Sequence, residues 1–153
     1  MKRLLFSIVL FCGSAALLCA GNAQKPTTSK YFRSMGGGFG CDGEKHEMFY
    51  GVDLEVRNSI PDDAVADILF ENPADKKAPL LTTIVLKGHP KSISAKSPAL
   101  PSVENNHIYS YTVILYRDGS RKEKLGEHSQ KLGFSVPDEL FETVFKPSYF
   151  KKK

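Results

Sequence analysis

Tryptophan is absent from the chain and cysteine is scarce, with three residues in 153. Cys12 and Cys19 both lie within the first twenty residues, so a chain that loses its N-terminus keeps only Cys41. One cysteine cannot form an internal disulfide, and core burial must then stabilise the fold alone. An odd cysteine in an oxidising compartment pairs with another molecule, stays buried or reacts. A disulfide-linked dimer through Cys41 is therefore one expectation.

The apolar run at the start of the sequence is shorter than a membrane-spanning segment. Residues 4–18 form an apolar run of 15 residues after a basic start, fewer than the roughly 18 that span a bilayer. A basic start, a short apolar middle and small residues at the exit are the parts of a secretory signal. We predict cleavage after Ala23 and an exported protein, periplasmic or extracellular, that keeps no transmembrane segment. Leu18 is larger than the residue that lipid attachment to Cys19 requires, which argues against a lipoprotein anchor.

The mature chain has little excess charge of either sign. Residues 1–23, the predicted signal peptide, carry two basic and no acidic residues, so 19 basic and 17 acidic residues remain, a net charge of +2. A general nucleic-acid binder concentrates Lys and Arg on one face, and near neutrality argues against one. The remaining 130 residues suffice for one domain core. Residues 147–153 end in three lysines and read as a solvated basic C-terminal tail.

Helical periodicity is missing from most of the chain, whereas strand patterns recur. Residues 47–57 alternate apolar and charged side chains, which predicts a strand with one wet face. Aliphatic runs at 64–71 and 80–87 are bounded by turn residues, and a weaker strand is expected over 92–96. The run 107–116 is apolar on both faces, which predicts a strand in the middle of a sheet.

The C-terminal third adds a hairpin and one helix. The pair Asp118-Gly119 predicts a tight turn that folds residues 120–125 back, and residues 129–136 alternate again. About seven strands predict an all-β fold, a single antiparallel β-sandwich over 47–146 that is immunoglobulin-like in the loose sense. An acidic start and an apolar face at 137–145 predict one short C-terminal helix.

The strand register also predicts which side chains form the core. The residues that lie on the apolar side of an alternating run, or in the doubly apolar strand, are Val52, Leu54, Ile114, Leu132 and Phe134. Tyr109 or Tyr111 is a candidate for a corner tyrosine that bonds upstream backbone, with simple core packing as the plainer interpretation.

Glycine is concentrated between residues 36 and 43, which hold five of the chain's twelve. Such a stretch has little to bury and high backbone entropy, so we interpret residues 24–46 as a flexible arm. Residues 38–43 match the glycine spacing of dinucleotide-binding loops. That site needs a preceding strand and a following helix, and the pattern predicts neither. The match is therefore taken as chance.

A cluster of soft metal ligands lies in and beside this arm. Met35, Cys41, His46 and Met48 fall within 14 residues, and thiolate, thioether and imidazole together suit Cu(I). Met48 also continues the apolar face of the strand at 47–57, which makes it more simply a core residue. A small redox or copper-handling protein that uses Cys41 and His46 is the alternative function.

Catalytic motifs are lacking. The chain has no nucleophile elbow, and His89, His107 and His128 are scattered without an acid at a motif spacing. We therefore predict a non-catalytic binding or assembly module of the bacterial envelope or extracellular space, without a cofactor. Its expected partner is a protein or another envelope component rather than nucleic acid.

Overall fold

The computed structural model describes residues 29–42, 47–100 and 103–144. Their elements are β1 (Phe32–Asp42), β2 (Glu47–Val56), β3 (Ala64–Phe70), β4 (Leu80–Leu86), β5 (Ser92–Lys96), β6 (His107–Tyr116), β7 (Lys124–Phe134) and α1 (Asp138–Val144). The predicted signal peptide, with Cys19 and the cleavage position Ala23, and the tail 147–153 lie outside the described residues. Among the described residues, no helix has the length and hydrophobicity of a membrane span.

The strands form two antiparallel sheets, which confirms the predicted all-β sandwich. One sheet has the order β1-β2-β5 and the other β4-β3-β6-β7. If the strands β1 to β7 are lettered A to G, one sheet contains strands A, B and E, and the facing sheet contains strands D, C, F and G. Constant-type immunoglobulin domains keep D with A, B and E, so the likeness is one of architecture.

The core lies between the sheets, where inward side chains of all seven described strands meet. Val52, Leu54 and Phe134 are buried there as predicted, and Leu132 is partly buried against them. The prediction for Ile114 is wrong: it lies half-buried on the outer face, while its neighbour Val113 is fully buried. β6 alternates strictly, and its outward aliphatic residues conceal that alternation in the sequence.

Within the predicted arm 24–46, residues 32–42 form the strand β1 rather than an irregular segment. β1 pairs with β2 from Phe32 opposite Val56 to Asp42 opposite Glu47. Two of its glycines, Gly37 and Gly40, lie where a side chain would clash: a Cβ at Gly37 would lie 2.9 Å from the carbonyl oxygen of Gly51. Partner backbone therefore occupies the space of a side chain, and the composition that suggested flexibility reflects crowding.

The predicted tight turn at Asp118-Gly119 is replaced by a longer loop. Residues 117–123 connect β6 to β7, and the runs predicted as two strands form the continuous β7. The left-handed residue is Arg121, with φ of 57°. The Asp118 carboxylate accepts a hydrogen bond from the Ser120 amide at 2.8 Å, an Asx turn that competes with the two-residue hairpin.

The predicted C-terminal helix is present and caps one end of the core. α1 begins with the acidic residues Asp138 and Glu139, which suit the positive end of the helix dipole. The Phe141 ring packs 6.2 Å from that of Phe134, so the apolar face of the helix closes the sandwich.

Candidate binding surface

Strand β4 has the composition of a central strand but lies at a sheet edge. Five of its seven residues are aliphatic, and they occupy both faces. Leu81 and Val85 point outward and are 49% and 51% exposed, while Leu80 and Ile84 pack against the core from the other face. β4 pairs with β3 on one side and forms the end of its sheet. A doubly aliphatic strand is normally covered by neighbours on both sides.

The other edges that the structure describes are protected against strand pairing. On β7, Lys124, Glu127 and Lys131 are exposed charges. On β1, a bulge at Met35 interrupts the ladder with β2, and β5 exposes serines and Lys96. Charges, bulges and short length are the usual devices that prevent unwanted edge pairing. β4 contains no charge and no proline.

Lysines flank β4 at both ends. Lys76 and Lys77 precede it, and Lys87 and Lys91 follow it, all exposed. None of these four forms a salt bridge with a residue in the described part of the chain. Aspartates accompany them at both ends, since Asp63 lies opposite Lys87 at the end of the β3–β4 ladder and the Asp75 carboxylate accepts a hydrogen bond from the Lys77 amide at 2.9 Å.

A buried carboxylate lies beside β4 on the outer face of the sheet. Arg121 reaches across β6 and donates to Asp67 through Nε at 2.6 Å and Nη2 at 2.9 Å, and the Thr83 hydroxyl adds a bond of 2.7 Å. The hydrogen bonds from Arg121 hold the pKa of Asp67 below its usual value. The carboxylate is satisfied by its own chain, so this cluster fixes the 117–123 loop on the sheet.

A second polar cluster lies at one end of the sandwich. His107 Nε2 is 3.2 Å from Glu71 Oε1, and the Ser110 hydroxyl donates to Glu71 Oε2 at 3.1 Å. Burial raises the pKa of Glu71, but the hydrogen bonds from His107 and Ser110 outweigh it and the pKa lies below its usual value. Because the hydroxyl contacts the carboxylate rather than the imidazole, this arrangement is not a nucleophile and base pair.

Tyr109 forms the corner contact that the sequence left open between two tyrosines. Its hydroxyl oxygen accepts a hydrogen bond of 2.7 Å from the backbone amide of Glu104, five residues upstream. Tyr111 instead donates to the Ser34 hydroxyl on β1 at 3.1 Å. Both rings are buried, so the corner contact adds to core packing instead of replacing it.

Of the four predicted metal ligands, the structure describes the side chains of Met35 and Met48, and these two lie apart. Met48 is 4% exposed in the core, and Met35 is 57% exposed at the β1 bulge, six residues from Cys41 and about 20 Å away along the strand. The register sets Cys41 opposite Met48, with only the backbone of Cys41 described, and His46 lies in the connection 43–46 outside the described residues. Within the described ranges no three His, Cys, Asp or Glu residues form a metal-binding group.

A shallow pocket of about 240 Å³ opens near the β1–β2 connection. Its wall includes Asp42, Glu47, Phe49 and Lys96. The Lys96 ammonium lies 3.5 Å from the centre of the Phe49 ring, so the aromatic face already holds a cation of its own chain.

His128 is a buried residue whose importance the sequence analysis missed. It is 1% exposed on the inward face of β7, and neither ring nitrogen has a hydrogen-bond partner. Burial lowers its pKa. Its two-residue spacing from the inward Gln130, Leu132 and Phe134 was the signal that could have placed it in the core.

Comparison with protein-family models, curated proteins and solved structures gives no match. The function must therefore be argued from this chain's own residues.

Proposed function

We propose that the protein is an exported, non-catalytic binding or assembly module and that it engages a partner through the edge of β4. The observation that supports this proposal is an aliphatic edge strand with Leu81 and Val85 half exposed and without the protection found on the other described edges. An edge of this kind invites aggregation unless a partner covers it.

The polar clusters support the same function. The carboxylates of Asp67 and Glu71 are both engaged by their own chain, so each stabilises the fold. A partner that bound either carboxylate would have to displace a hydrogen bond that already exists within the protein. On β4, Thr82 and Thr83 are engaged by the Lys96 carbonyl and by Asp67, whereas Leu81 and Val85 are half exposed. Burying these two aliphatic side chains releases water.

Capture from an envelope fraction tests this function. The mature protein, residues 24–153, is immobilised beside the double variant Leu81→Lys/Val85→Lys and the control Ile108→Lys. Ile108 is 62% exposed on β6, within the same sheet but away from its edge. We expect a stoichiometric partner with the wild type and the control, and its loss with the double variant. Equal capture by all three forms would contradict the use of β4, and catalytic turnover would contradict the class.

A copper-handling function is a second candidate, because the β1–β2 register sets Cys41 opposite Met48 and His46 immediately precedes β2 in the sequence. Thiolate, thioether and imidazole are ligands that Cu(I) prefers. Metal analysis of the mature protein after exposure to Cu(I) tests it. One ion per chain, lost in both Cys41→Ser and His46→Ala, would favour this candidate over the binding module.

A further inference from the structure

We infer that residues 29–34 form a flap over the core that is closed at neutral pH and opens in mild acid, and that His128 beneath it is the group that responds. The flap consists of the residues that lead into β1 and the first three residues of that strand. It lies over β7, at the opposite side of the sandwich from β4, so the inference does not depend on the proposed binding edge. Three features support it: the contacts that cover His128, an imidazole without hydrogen-bond partners and a bulge that can serve as a hinge.

The start of the flap packs against the inner face of β7. A Cβ at Gly126 would lie 2.9 Å from the Ser29 hydroxyl oxygen and 3.0 Å from a ring carbon of Tyr31. His128 follows Gly126 by two residues and points to the same face, because side chains at every second residue of a strand share a face. The imidazole therefore lies next to the covered position.

A second contact closes the flap near the other side of His128. The Tyr111 ring centre lies 6.3 Å from that of the imidazole, and the Tyr111 hydroxyl donates to the Ser34 hydroxyl at 3.1 Å. Phe32 lies between the two contacts in the sequence and is fully buried. The closed flap and the strands beneath it leave His128 only 1% exposed.

The described residues around His128 offer nothing that would stabilise its protonated form. Neither ring nitrogen has a hydrogen-bond partner among them. The inward titratable side chains beside it are tyrosines, and burial raises the pKa of Tyr50 and Tyr111, so both stay neutral. His107 lies at the far end of β6, against Glu71. The charged side chains of the flap and of β1, β2 and β7 are exposed or lie on outer faces: Lys30, Arg33, Asp42, Glu47, Asp53, Glu55, Lys124, Glu127 and Lys131.

A bulge separates the flap from the rest of β1. The ladder with β2 shifts register between Ser34 and Gly36, which leaves Met35 as the extra residue, 57% exposed. Such a bulge disrupts the ladder locally. A Cβ at Gly36 would have no neighbour within 4 Å, so close packing does not hold the backbone at this point. Only the ladder positions from Phe32 to Ser34 lie on the flap side, so the flap can lift while both sheets remain.

Protonation of His128 favours the open flap. An imidazolium ion carries a charge and two N–H donors, and neither nitrogen has an acceptor in the closed core. Burial lowers the pKa of His128 in the closed state, whereas in the open state water solvates the ring and the pKa returns toward about 6.5. The open state therefore binds the proton more readily, and the open fraction rises as pH falls below that value. Between pH 7.5 and pH 5 the rise can reach about thirtyfold.

The open flap would expose a second apolar surface. Phe32 would leave the core, and the edge of β2 from Leu54 to Val56, which pairs with the flap in the closed state, would become accessible. Acid would thus convert a covered edge of the sandwich into an open one.

Amide hydrogen exchange of the mature protein, followed by NMR at pH 7.5 and pH 5, tests the inference. The probe is the Arg57 amide, which donates to the Tyr31 carbonyl of the flap at 2.8 Å. We expect its open fraction, corrected for the intrinsic exchange rate, to rise at least about tenfold at pH 5. Low urea should leave this opening unchanged, because it exposes little surface, while amides of β3 and β6 that exchange by global unfolding accelerate. The neighbouring Val56 amide, which donates to the Lys91 carbonyl at 2.8 Å, should stay the more protected of the two.

Variants assign the response to one histidine. His128→Phe should reduce the acid-induced rise at the Arg57 amide to within about twofold, because the group that takes up the proton is gone. His89→Gln is the control and should keep the full rise, since the His89 side chain is 63% exposed. Should His128→Phe fail to fold, His128→Gln removes the titration and keeps a polar side chain.

Three results would overturn the inference. An equal open fraction at pH 7.5 and pH 5 would show that protons do not act on the flap. A rise that persists in the His128 variants would assign the response to another group. A urea dependence at the Arg57 amide equal to that of β3 and β6 would show that the opening is global unfolding.

Discussion

The two edges of the four-stranded sheet differ in how far they are protected against pairing with another strand. At the β7 edge, β1 of the facing sheet packs so closely that a Cβ at Gly37 would lie 3.1 Å from Leu132 Cδ2. Exposed charges, Lys124, Glu127 and Lys131, accompany that cover. At the β4 edge, the strand is aliphatic on both faces, and its contact with the facing sheet includes a hydrogen bond of 2.7 Å from the Thr82 hydroxyl to the Lys96 carbonyl of β5.

The difference shows that this fold can protect an edge and does so on one side only. Both edge strands belong to one sheet and contribute to one core, so stability alone does not explain the contrast. An open aliphatic edge adds an aggregation hazard and gives the isolated domain little in return. The proposed binding function would account for the retention of such an edge.

The largest expected effect separates the core from the open edge. Leu54→Ala should lower the free energy of unfolding by about 2–5 kcal/mol, because it removes burial and leaves a cavity. Leu81→Ala, a matched change at the edge, should cost about 1 kcal/mol, since half of the side chain stays in water. Chemical denaturation of both variants measures the difference. Equal losses would show that the edge is already covered in the isolated protein.

A pair of glycines tests the covered edge. Gly37→Ala should cost about 1–3 kcal/mol by overpacking, because its Cβ would meet the carbonyl oxygen of Gly51 at 2.9 Å and Leu132 at 3.1 Å. Gly36→Ala is the control, since a Cβ there has no neighbour within 4 Å. Thermal melts of both variants decide the matter. If Gly37→Ala were as stable as Gly36→Ala, β1 would not pack tightly over β7.

The covered edge should also respond to acid through His128. Its folded-state pKa is lowered by burial, so the unfolded chain binds a proton more readily, and stability falls as pH drops below about 6.5, the ordinary histidine value. His128→Phe should flatten this dependence between pH 7 and pH 5. His89→Gln is the control, because the His89 side chain is 63% exposed. Parallel curves for wild type and His128→Phe would contradict a buried neutral imidazole.

Much of the fold could be predicted because a strand with one solvent-exposed face shows a clear alternation of apolar and polar residues in the sequence. The strands 47–57 and 92–96 were placed within a residue of β2 and β5 on this signal. Ile114 was predicted on the wrong face because β6 carries aliphatic residues on its outer face as well as on its inner face. A register shift of one residue exchanges the two faces, and in such a strand the hydrophobic pattern does not reveal the shift. The hydrophobic pattern therefore gives register only where the outer face is polar.

The candidate surface could not be predicted for a related reason. The aliphatic run of β4 reads the same in the middle of a sheet and at its edge, and only the pairing of strands shows that one side is open. The glycines of β1 led to the opposite error, because a paired strand was predicted as a flexible arm. Composition cannot distinguish a segment that needs freedom from one whose neighbours, such as the Phe49 ring over Gly40, leave no room for side chains.

The smallest expected effect concerns the covering strand β1, which carries Cys41. Under the binding proposal, Cys41→Ser keeps the melting temperature and the captured partner, because a single mature cysteine forms no internal disulfide that could stabilise the fold. Any reducible dimer band of the wild type should disappear on a non-reducing gel. Under the copper candidate, the same variant would instead lose the stabilisation that bound metal gives the folded state. Melting wild type and Cys41→Ser with and without Cu(I) separates the two. A metal-dependent rise in the wild type that vanishes in both Cys41→Ser and His46→Ala would make the covered side of the molecule its functional side.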